Sequence, residues 1–123
     1  NICTNQGLMA LAFAIHGSLL GKEGFKQLGT LCAQRARYLE RALAERGFTR
    51  RYADAPYYNE FVIELGDKVE AAIDLGVERN IVAGFDLGRW RDDWSGGLMV
   101  CVNEMQTKAS MDEFVEMLVE VTR

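Results

Sequence analysis

The side chains that could act as an acid, a base or a nucleophile are few in this chain, and they lie far apart. The only histidine, His16, lies in the most apolar segment and has no acidic residue near it in the sequence. An imidazole can act as a general base near neutral pH, but it needs a partner that orients it. We therefore interpret His16 as a packed or interface residue.

The three cysteines, Cys3, Cys32 and Cys101, are the remaining candidates for a nucleophile or a metal ligand. They form no CxxC pair and no Cys/His cluster, so their spacing predicts neither a metal site nor a disulfide framework. Cys32 and Cys101 occupy apolar positions of a predicted helix and a predicted strand, where burial disfavours the thiolate. Cys3 lies just before a predicted helix start, whose positive dipole end can lower the pKa of a thiol. The sequence therefore predicts no catalytic residue, and it leaves Cys3 as a residue that a site could use.

The polar pair Thr4 and Asn5 has two interpretations. Their side-chain oxygens can cap the first helix by accepting hydrogen bonds from its free amides. The exposed amides at the same helix terminus can instead bind a phosphate or a carboxylate. The residues alone leave both interpretations open.

Residues 84–97 combine glycines, two tryptophans and a pair of acids. The glycines lack GxGxxG spacing and precede a predicted strand, whereas a phosphate-binding loop leads from a strand into a helix. We therefore interpret these glycines as turn residues. Asp92 and Asp93 are interpreted as solvated surface acids, and Trp90 and Trp94 as candidates for interface anchors.

Composition and charge exclude several classes of protein. The chain has 123 residues, of which 49% are hydrophobic and 26% are charged, and its net charge is −4. This acidic balance argues against a nucleic-acid binder and against a polybasic membrane anchor. The longest apolar stretch, residues 7–20, is shorter than the ~20 residues that span a membrane. The sparse cysteines indicate a cytoplasmic protein, and a start at Asn1 without a methionine suggests a fragment of a longer one.

The first predicted element is a helix that runs to about Leu20 and is apolar on nearly every side. Leu8, Leu11 and Leu19 repeat at helical spacing, and further apolar residues fill the other faces. Such a helix is normally buried all round, which a domain of this size cannot achieve alone. We therefore expect one domain over residues 1–123, with a leading apolar interface helix at 1–21 and an α/β body at 22–123.

The body is predicted to alternate helices with short strands. An amphipathic pattern predicts a second helix that begins after Gly21 and ends at Gly47. Capping-box spacing predicts helices that begin at Asp67, ending at Gly76, and at Ser110. Alternating apolar residues predict a strand at residues 61–65, an apolar run predicts one at 98–102, and short strands are predicted at 48–52 and 80–83. This order indicates an α+β fold, in which helices cover one face of a small, mostly antiparallel sheet.

The hexapeptide NICTNQ (residues 1–6), followed by GLMAL (7–11), resembles the start of the C-terminal part of one family. That family is the glycine cleavage system P-protein, and the likeness is to subunit 1 of its split-subunit form. The likeness continues in order along the chain, through LGKEG (20–24), ARYL (36–39), NEFV (59–62), GFDLG (84–88), LMVCVNE (98–104) and Thr107. NICT with its following apolar helix is the specific part.

The resemblance implies the small C-terminal domain of the aminotransferase-like fold of pyridoxal-phosphate enzymes. The family is an oxidoreductase, glycine dehydrogenase, which decarboxylates glycine with pyridoxal phosphate as electron sink and passes the aminomethyl group to the lipoyl arm of the H-protein. In split systems the Schiff-base lysine is expected on subunit 2, and subunit 1 is catalytically silent. The resemblance implies that Thr4 and Asn5 bind the cofactor across the subunit interface, with Asn1 and Cys3 beside the active site. The fragment alone is expected to be inactive and to bind no cofactor.

Two alternatives remain open at the level of the sequence. The small domain of another pyridoxal-phosphate enzyme, such as an aminotransferase or cysteine-desulfurase relative, would need a carboxylate-binding arginine. Arg89 and Arg91 are the candidates for that role. A non-enzymatic association domain would instead form a homodimer through the first helix and would not depend on a second subunit.

Overall fold

The longest element of the computed structural model, which describes residues 6–123, is helix α1 (Gln6–Glu45). Gly21 interrupts it with φ 60° and ψ −174°, a left-handed backbone that glycine adopts without a Cβ penalty. The prediction of two helical segments that meet at Gly21 is therefore confirmed. The amide of Phe48 bonds to the carbonyl of Leu43 at 3.1 Å, and Gly47 takes φ 90°, so the predicted glycine cap is also confirmed.

Three strands form an antiparallel sheet with β3 in the centre. They are β1 (Glu60–Glu64), β2 (Phe85–Asp86) and β3 (Gly97–Cys101), and the order across the sheet is β1-β3-β2. Phe61 faces Val100 in the register of β1 and β3. Because side chains alternate along a strand, this register turns Phe61, Ile63, Leu98 and Val100 towards the helices.

Two of the predicted strands are wrong, and local hydrogen bonds give the reason. In the predicted strand at 48–52, only Arg50 forms a bridge to the sheet, opposite Ile63. Its side chain donates to the carbonyl of Tyr52 at 2.8 Å, and Tyr52 has φ 60°, so the chain turns away there. In the predicted strand at 80–83, the amide of Ile81 instead bonds to the carbonyl of Gly76 at 2.7 Å and finishes the preceding helix.

The two later helices begin at residues other than those predicted, and the first of them also ends later than predicted. Helix α2 (Val69–Glu78) passes through Gly76 and ends before Asn80, which takes the left-handed φ of 57°. Helix α3 (Lys108–Thr122) is capped by Thr107, whose hydroxyl accepts a hydrogen bond from the amide of Ser110 at 3.1 Å. The predicted start at Ser110 is therefore two residues too late. Asp67 makes no side-chain cap, because a 3₁₀ turn (Gly66–Lys68) precedes α2.

The helices form one layer over one face of the sheet, with α3 in contact with both α1 and α2. The core lies between this layer and the sheet. Its largest fully buried side chains come from four elements and from the residue after β3: Leu43, Ile63, Leu98, Val102, Met117 and Leu118. The predicted α+β class, with helices on a small antiparallel sheet, is confirmed.

Leu118 provides a test of this core. Its side chain is 0% exposed, so Leu118→Ala leaves a cavity and is expected to lower the free energy of unfolding by about 2–5 kcal/mol. Val82 is the control, because its side chain is 97% exposed and Val82→Ala should change the free energy by less than about 0.5 kcal/mol. Urea unfolding followed by circular dichroism measures both, and equal losses would contradict the placement of the core.

Candidate functional site

The first half of α1 exposes an apolar surface, which we call the leading surface. Six large side chains on it are each more than half exposed: Leu8, Met9, Leu11, Phe13, Ile15 and Leu19. A contiguous apolar patch of this kind marks a protein interface in a soluble protein. The candidate functional site of this chain is therefore an interface.

The leading surface continues past the break at Gly21. Phe25 is 45% exposed, and its ring lies 3.3 Å from the position that a Cβ of Gly17 would occupy. A side chain at residue 17 would therefore push against this ring. The glycine lets Phe25 fold back over the first half of α1, so the apolar surface crosses from one helical segment to the next.

His16 lies within the leading surface and is exposed. The interpretation of His16 as a packed residue is therefore wrong for the described residues, and its role at an interface stays a prediction. Cys32 is buried, as predicted. The prediction of a buried Cys101 is wrong: the thiol is exposed because β3 ends there, although partial loss of water and the nearby Glu60 carboxylate raise its pKa. A raised pKa makes this thiol a weaker nucleophile at neutral pH.

Arg51 attaches the loop after β2 to the opposite edge of the sheet. Its guanidinium binds both carboxylate oxygens of Glu64, with Nη2 at 2.7 Å from Oε2. It also donates to the carbonyl of Trp94 at 3.0 Å and to the carbonyl of Ser95 at 3.1 Å. The hydrogen bond from Arg51 lowers the pKa of Glu64, and the same bond raises the pKa of Arg51. One side chain thus fixes the loop that carries both tryptophans.

The charged and aromatic side chains of the same loop contact one another. Arg91 forms two hydrogen bonds with Asp93, at 2.9 and 2.8 Å, and lies over the ring of Trp94. Arg89 and Arg91 are both exposed, and Arg91 is paired with Asp93. Trp90 is 73% exposed and packs edge-on against Trp94 at 6.4 Å between ring centroids.

Gly88 and Gly96 lie in turns, as predicted, whereas Gly97 is the first residue of β3. The amide of Gly88 bonds to Oδ1 of Asp86 at 2.8 Å and is not free to bind a phosphate. The adjoining segments are two short 3₁₀ turns, Leu87–Arg89 and Asp92–Trp94, neither of which begins a longer helix. A phosphate loop needs free amides at such a helix start, so the described geometry does not supply one.

A second ionic network attaches the loop of residues 50–57 to α1. Glu40 accepts hydrogen bonds from Arg50, at 2.6 Å, and from the hydroxyl of Tyr57. Burial and the bond to Glu40 raise the pKa of Tyr57 to about 12, so this hydroxyl keeps its proton at neutral pH. The guanidinium of Arg37 lies 4.1 Å from the centre of the same ring. These contacts hold the fold together and supply no acid or base.

Some sequence-based candidates lie outside the residues that the structure describes. These are Asn1, Cys3, Thr4 and Asn5. Within residues 6–123, no group of three or more His, Cys, Asp or Glu side chains could hold a metal ion. Over the same residues, no helix is both long and apolar enough to cross a membrane.

Fold and site together define a class: a small α+β domain that offers a large apolar interface and, within residues 6–123, no catalytic cluster. The family model described as glycine cleavage system P-protein matches residues 1–118. The chain belongs to the glycine cleavage system P-protein family. This result confirms the resemblance carried by residues 1–6 and the strings that follow them.

Several relatives are similar over almost the whole chain. The probable glycine dehydrogenase (decarboxylating) subunit 1 of Geobacillus kaustophilus is 41% identical over 96% of this chain, and that of Chlorobaculum tepidum is 40% identical. The chain spans 26% of each relative's length. A crystal structure of glycine decarboxylase (P-protein) of the glycine cleavage system, in inhibitor-bound form, matches 98% of this chain with a TM-score of 0.82 and 25% identity. This chain covers 27% of that structure.

The described lysines do not fit a pyridoxal-phosphate site. A lysine that forms a Schiff base needs a neutral amine, which burial or a neighbouring cation provides. Lys22, Lys26 and Lys68 are exposed, and Lys108 lies 2.5 Å from Asp112, a carboxylate whose hydrogen bond raises the pKa of the amine. None of the four described lysines is therefore placed as a Schiff-base lysine would be.

The ion pair of Arg51 and Glu64 predicts a dependence of stability on pH. Its contribution is complete above the ordinary carboxyl pKa of 4.5 and is lost as the pH falls through the lowered pKa of folded Glu64. The stability difference between the unchanged protein and Glu64→Gln should therefore be largest near neutral pH and vanish in stronger acid. Urea midpoints measured from about pH 7 down to about pH 3 test this.

A matched control is Glu116→Gln, which removes an ion pair with Arg46 in which both side chains are about half exposed. Exposed pairs contribute little, so this variant should shift the midpoint less than Glu64→Gln at neutral pH. A difference for Glu64→Gln that stays constant down to low pH would contradict the ionic role of Glu64.

Proposed function

We propose that this chain is the C-terminal domain of subunit 1 of a two-subunit glycine dehydrogenase (decarboxylating). The complete enzyme decarboxylates glycine with pyridoxal phosphate and transfers the aminomethyl group to the lipoyl arm of the H-protein. The observation that carries the proposal is the family match over residues 1–118, supported by relatives named as subunit 1. In this proposal the domain is catalytically silent, and subunit 2 holds the cofactor through a lysine.

The exposed leading surface supports the assignment of this domain to a subunit interface. Six large apolar side chains in contact with water cost free energy, roughly 25 cal/mol for each Å² that could be buried. The remaining part of the full-length protein and the partner subunit supply the cover in this proposal. Residues 1–21 form the interface segment, and residues 22–123 form the body that holds it in place.

Thr4 and Asn5 complete the cofactor site across that interface in this proposal, with Asn1 and Cys3 beside it. The support is twofold: the hexapeptide at residues 1–6 matches the family, and it directly precedes the leading surface. A hydroxyl and an amide can both hydrogen-bond an anionic or polar cofactor group without supplying acid–base chemistry. Their task is therefore to bind and orient.

Charge placed in the leading surface tests the proposal. Leu11→Glu with Phe13→Glu should abolish assembly of full-length subunit 1 with subunit 2, and glycine decarboxylation with it, because two carboxylates would be buried without partners. Val82→Glu with Val77→Glu is the control, since both side chains are also exposed, at 97% and 71%, but lie outside the leading surface. Size-exclusion chromatography and release of labelled carbon dioxide measure the two effects.

Two outcomes would contradict the proposal. One is an isolated chain that shows the visible absorption of pyridoxal phosphate at one cofactor per chain. The other is a stable homodimer through the leading surface, with unchanged glycine turnover in the charged variant. The second result would favour the association domain that the sequence also allowed.

Substitution of Thr4 or Asn5 by Ala provides a separate prediction for the cofactor site. In the assembled enzyme, each variant should lower glycine turnover or cofactor affinity by about fivefold to tenfold, the effect of losing one hydrogen bond. Thr49→Ala is the control, because Thr49 is exposed in a loop of the body and contributes only its carbonyl to Glu64. Unchanged kinetics and unchanged affinity for both variants would remove these residues from the site.

A further inference from the structure

Three glycines surround the break in α1, and we call Gly17, Gly21 and Gly24 the glycine joint. Gly21 carries the break itself, with φ 60° and ψ −174°. This region of φ and ψ is occupied almost only by glycine, because the Cβ of any other residue clashes with the backbone there. The direction that the helix takes at residue 21 therefore depends on a glycine at this position.

The second glycine, Gly24, is required by a close approach across the break. A Cβ at residue 24 would lie 3.1 Å from the Cβ of Leu20 and 3.3 Å from its Cδ2. In a continuous helix, the Cβ atoms of residues four positions apart are about 5–6 Å apart. The break therefore brings Leu20 and Gly24 together, and a side chain at residue 24 would push the two helical segments apart.

The contacts at the joint hold the first segment of α1 in its observed direction. Among residues 6–20, only Gly17 and Leu20 are partly buried. Each of them lies against a residue on the other side of the break, Gly17 against the ring of Phe25 and Leu20 against Gly24. The other residues of this segment are exposed in the described part of the chain. The bend is therefore set at the joint, and burial of the segment against the body contributes little to it.

The composition of the joint also disfavours a straight helix. Glycine is the least favourable residue in a helix interior apart from proline, since it loses the most backbone freedom there. Three glycines within the eight residues 17–24 therefore weaken a continuous helix through this stretch. The same three residues permit the bent form, so the sequence favours the bend on both counts.

A small change of the bend would displace the start of the helix by a large distance. Gln6 lies fifteen residues before Gly21, about 22 Å along the helix axis. A rotation of about 10° at the joint would therefore move Gln6 by about 4 Å, which exceeds the length of a hydrogen bond. The residues that the proposed function assigns to the cofactor site directly precede Gln6.

From these observations we infer that the glycine joint is a preset angle, which directs the leading surface and residues 1–5 towards subunit 2. The inference rests on the proposed function, which assigns the leading surface to the subunit interface. The bent form exists in subunit 1 before subunit 2 binds, and Gly21 is a positioning residue for assembly. A chain that is straight at residue 21 presents the same apolar side chains in a direction that does not fit the partner.

Gly21→Ala in full-length subunit 1 tests this inference. A Cβ at residue 21 meets no described atom within 4 Å, so its effect arises from the backbone angles alone. The apparent Kd for subunit 2 should rise at least about tenfold, because only the small bent fraction of the variant is competent to bind. Glycine turnover at saturating subunit 2 should stay unchanged, since binding restores the bend. Titration of subunit 2, followed by release of labelled carbon dioxide, measures both quantities.

Two glycines of α1 and its end provide matched controls. Gly47→Ala also places a Cβ in open space at a positive φ, 90°, but at the far end of the helix. It should lower the urea midpoint of the subunit and leave the Kd within about twofold, whereas Gly21→Ala should leave the midpoint unchanged. Gly29→Ala should also retain the Kd, because a Cβ there makes only an ordinary contact of 3.6 Å with the hydroxyl of Tyr58.

A distance across the joint tests whether the bend precedes assembly. Nitroxide labels at the exposed residues 10 and 34 are separated by twenty-four positions, which corresponds to about 36 Å in a straight helix. Electron–electron double resonance should give a clearly shorter distance in full-length subunit 1, equal before and after subunit 2 is added. In free Gly21→Ala the distance should increase towards about 36 Å.

The outcomes separate failure of the inference from failure of the proposed function. No glycine decarboxylation by the unchanged assembled enzyme would overturn the proposed function. Normal decarboxylation with an unchanged Kd in Gly21→Ala would overturn only the inference. A straight α1 in free subunit 1 that bends when subunit 2 binds would also overturn it, because the partner would then impose the angle. Turnover of Gly21→Ala that stays low at saturating subunit 2 would assign Gly21 to the active site and overturn the positioning role.

Discussion

The structure depends on one constraint: the two halves of helix α1 lie in different environments, one packed against the body and one in contact with water. Its second half buries a stripe of small and aliphatic residues against the sheet and α3, while its first half keeps large apolar side chains in water. Gly21 separates the two, because its left-handed backbone changes the direction of the helix without a steric penalty. The body can therefore fold around one segment while the other stays available to a partner.

Two arginines hold the irregular parts of the body in place. Arg51 connects a loop to Glu64 across the sheet, and Arg50 connects another loop to Glu40 on α1. Each also donates hydrogen bonds to backbone carbonyl groups of the loop that it holds. Short strands such as β2, with two residues, cannot fix these loops by ladder bonds alone. The ion pairs of Arg50 and Arg51 hold these loops in place instead.

The sequence predicted what depends on short-range periodicity and missed what depends on distant partners. Helical spacing identified both halves of α1 and the break at Gly21, and alternation identified β1. The strand expected at residues 48–52 failed because Arg50 binds carbonyls of its own turn, which no apolar pattern reveals. The Arg51 contacts join residues far apart in the chain, so no local signal could have found them. The leading surface was predictable, because a helix that is apolar all round needs a cover.

The scarcity of acid–base groups is consistent with this architecture. The described groups whose pKa is shifted take part in structural contacts or become less reactive. Tyr57 retains its proton, Lys108 retains its charge, and the Cys101 thiol stays protonated. A catalytic domain would shift such values towards neutral pH. In the described part of the chain, the exposed apolar surface of α1 is the feature that the fold alone does not require. Under the proposed function, the domain contributes to its enzyme through this surface.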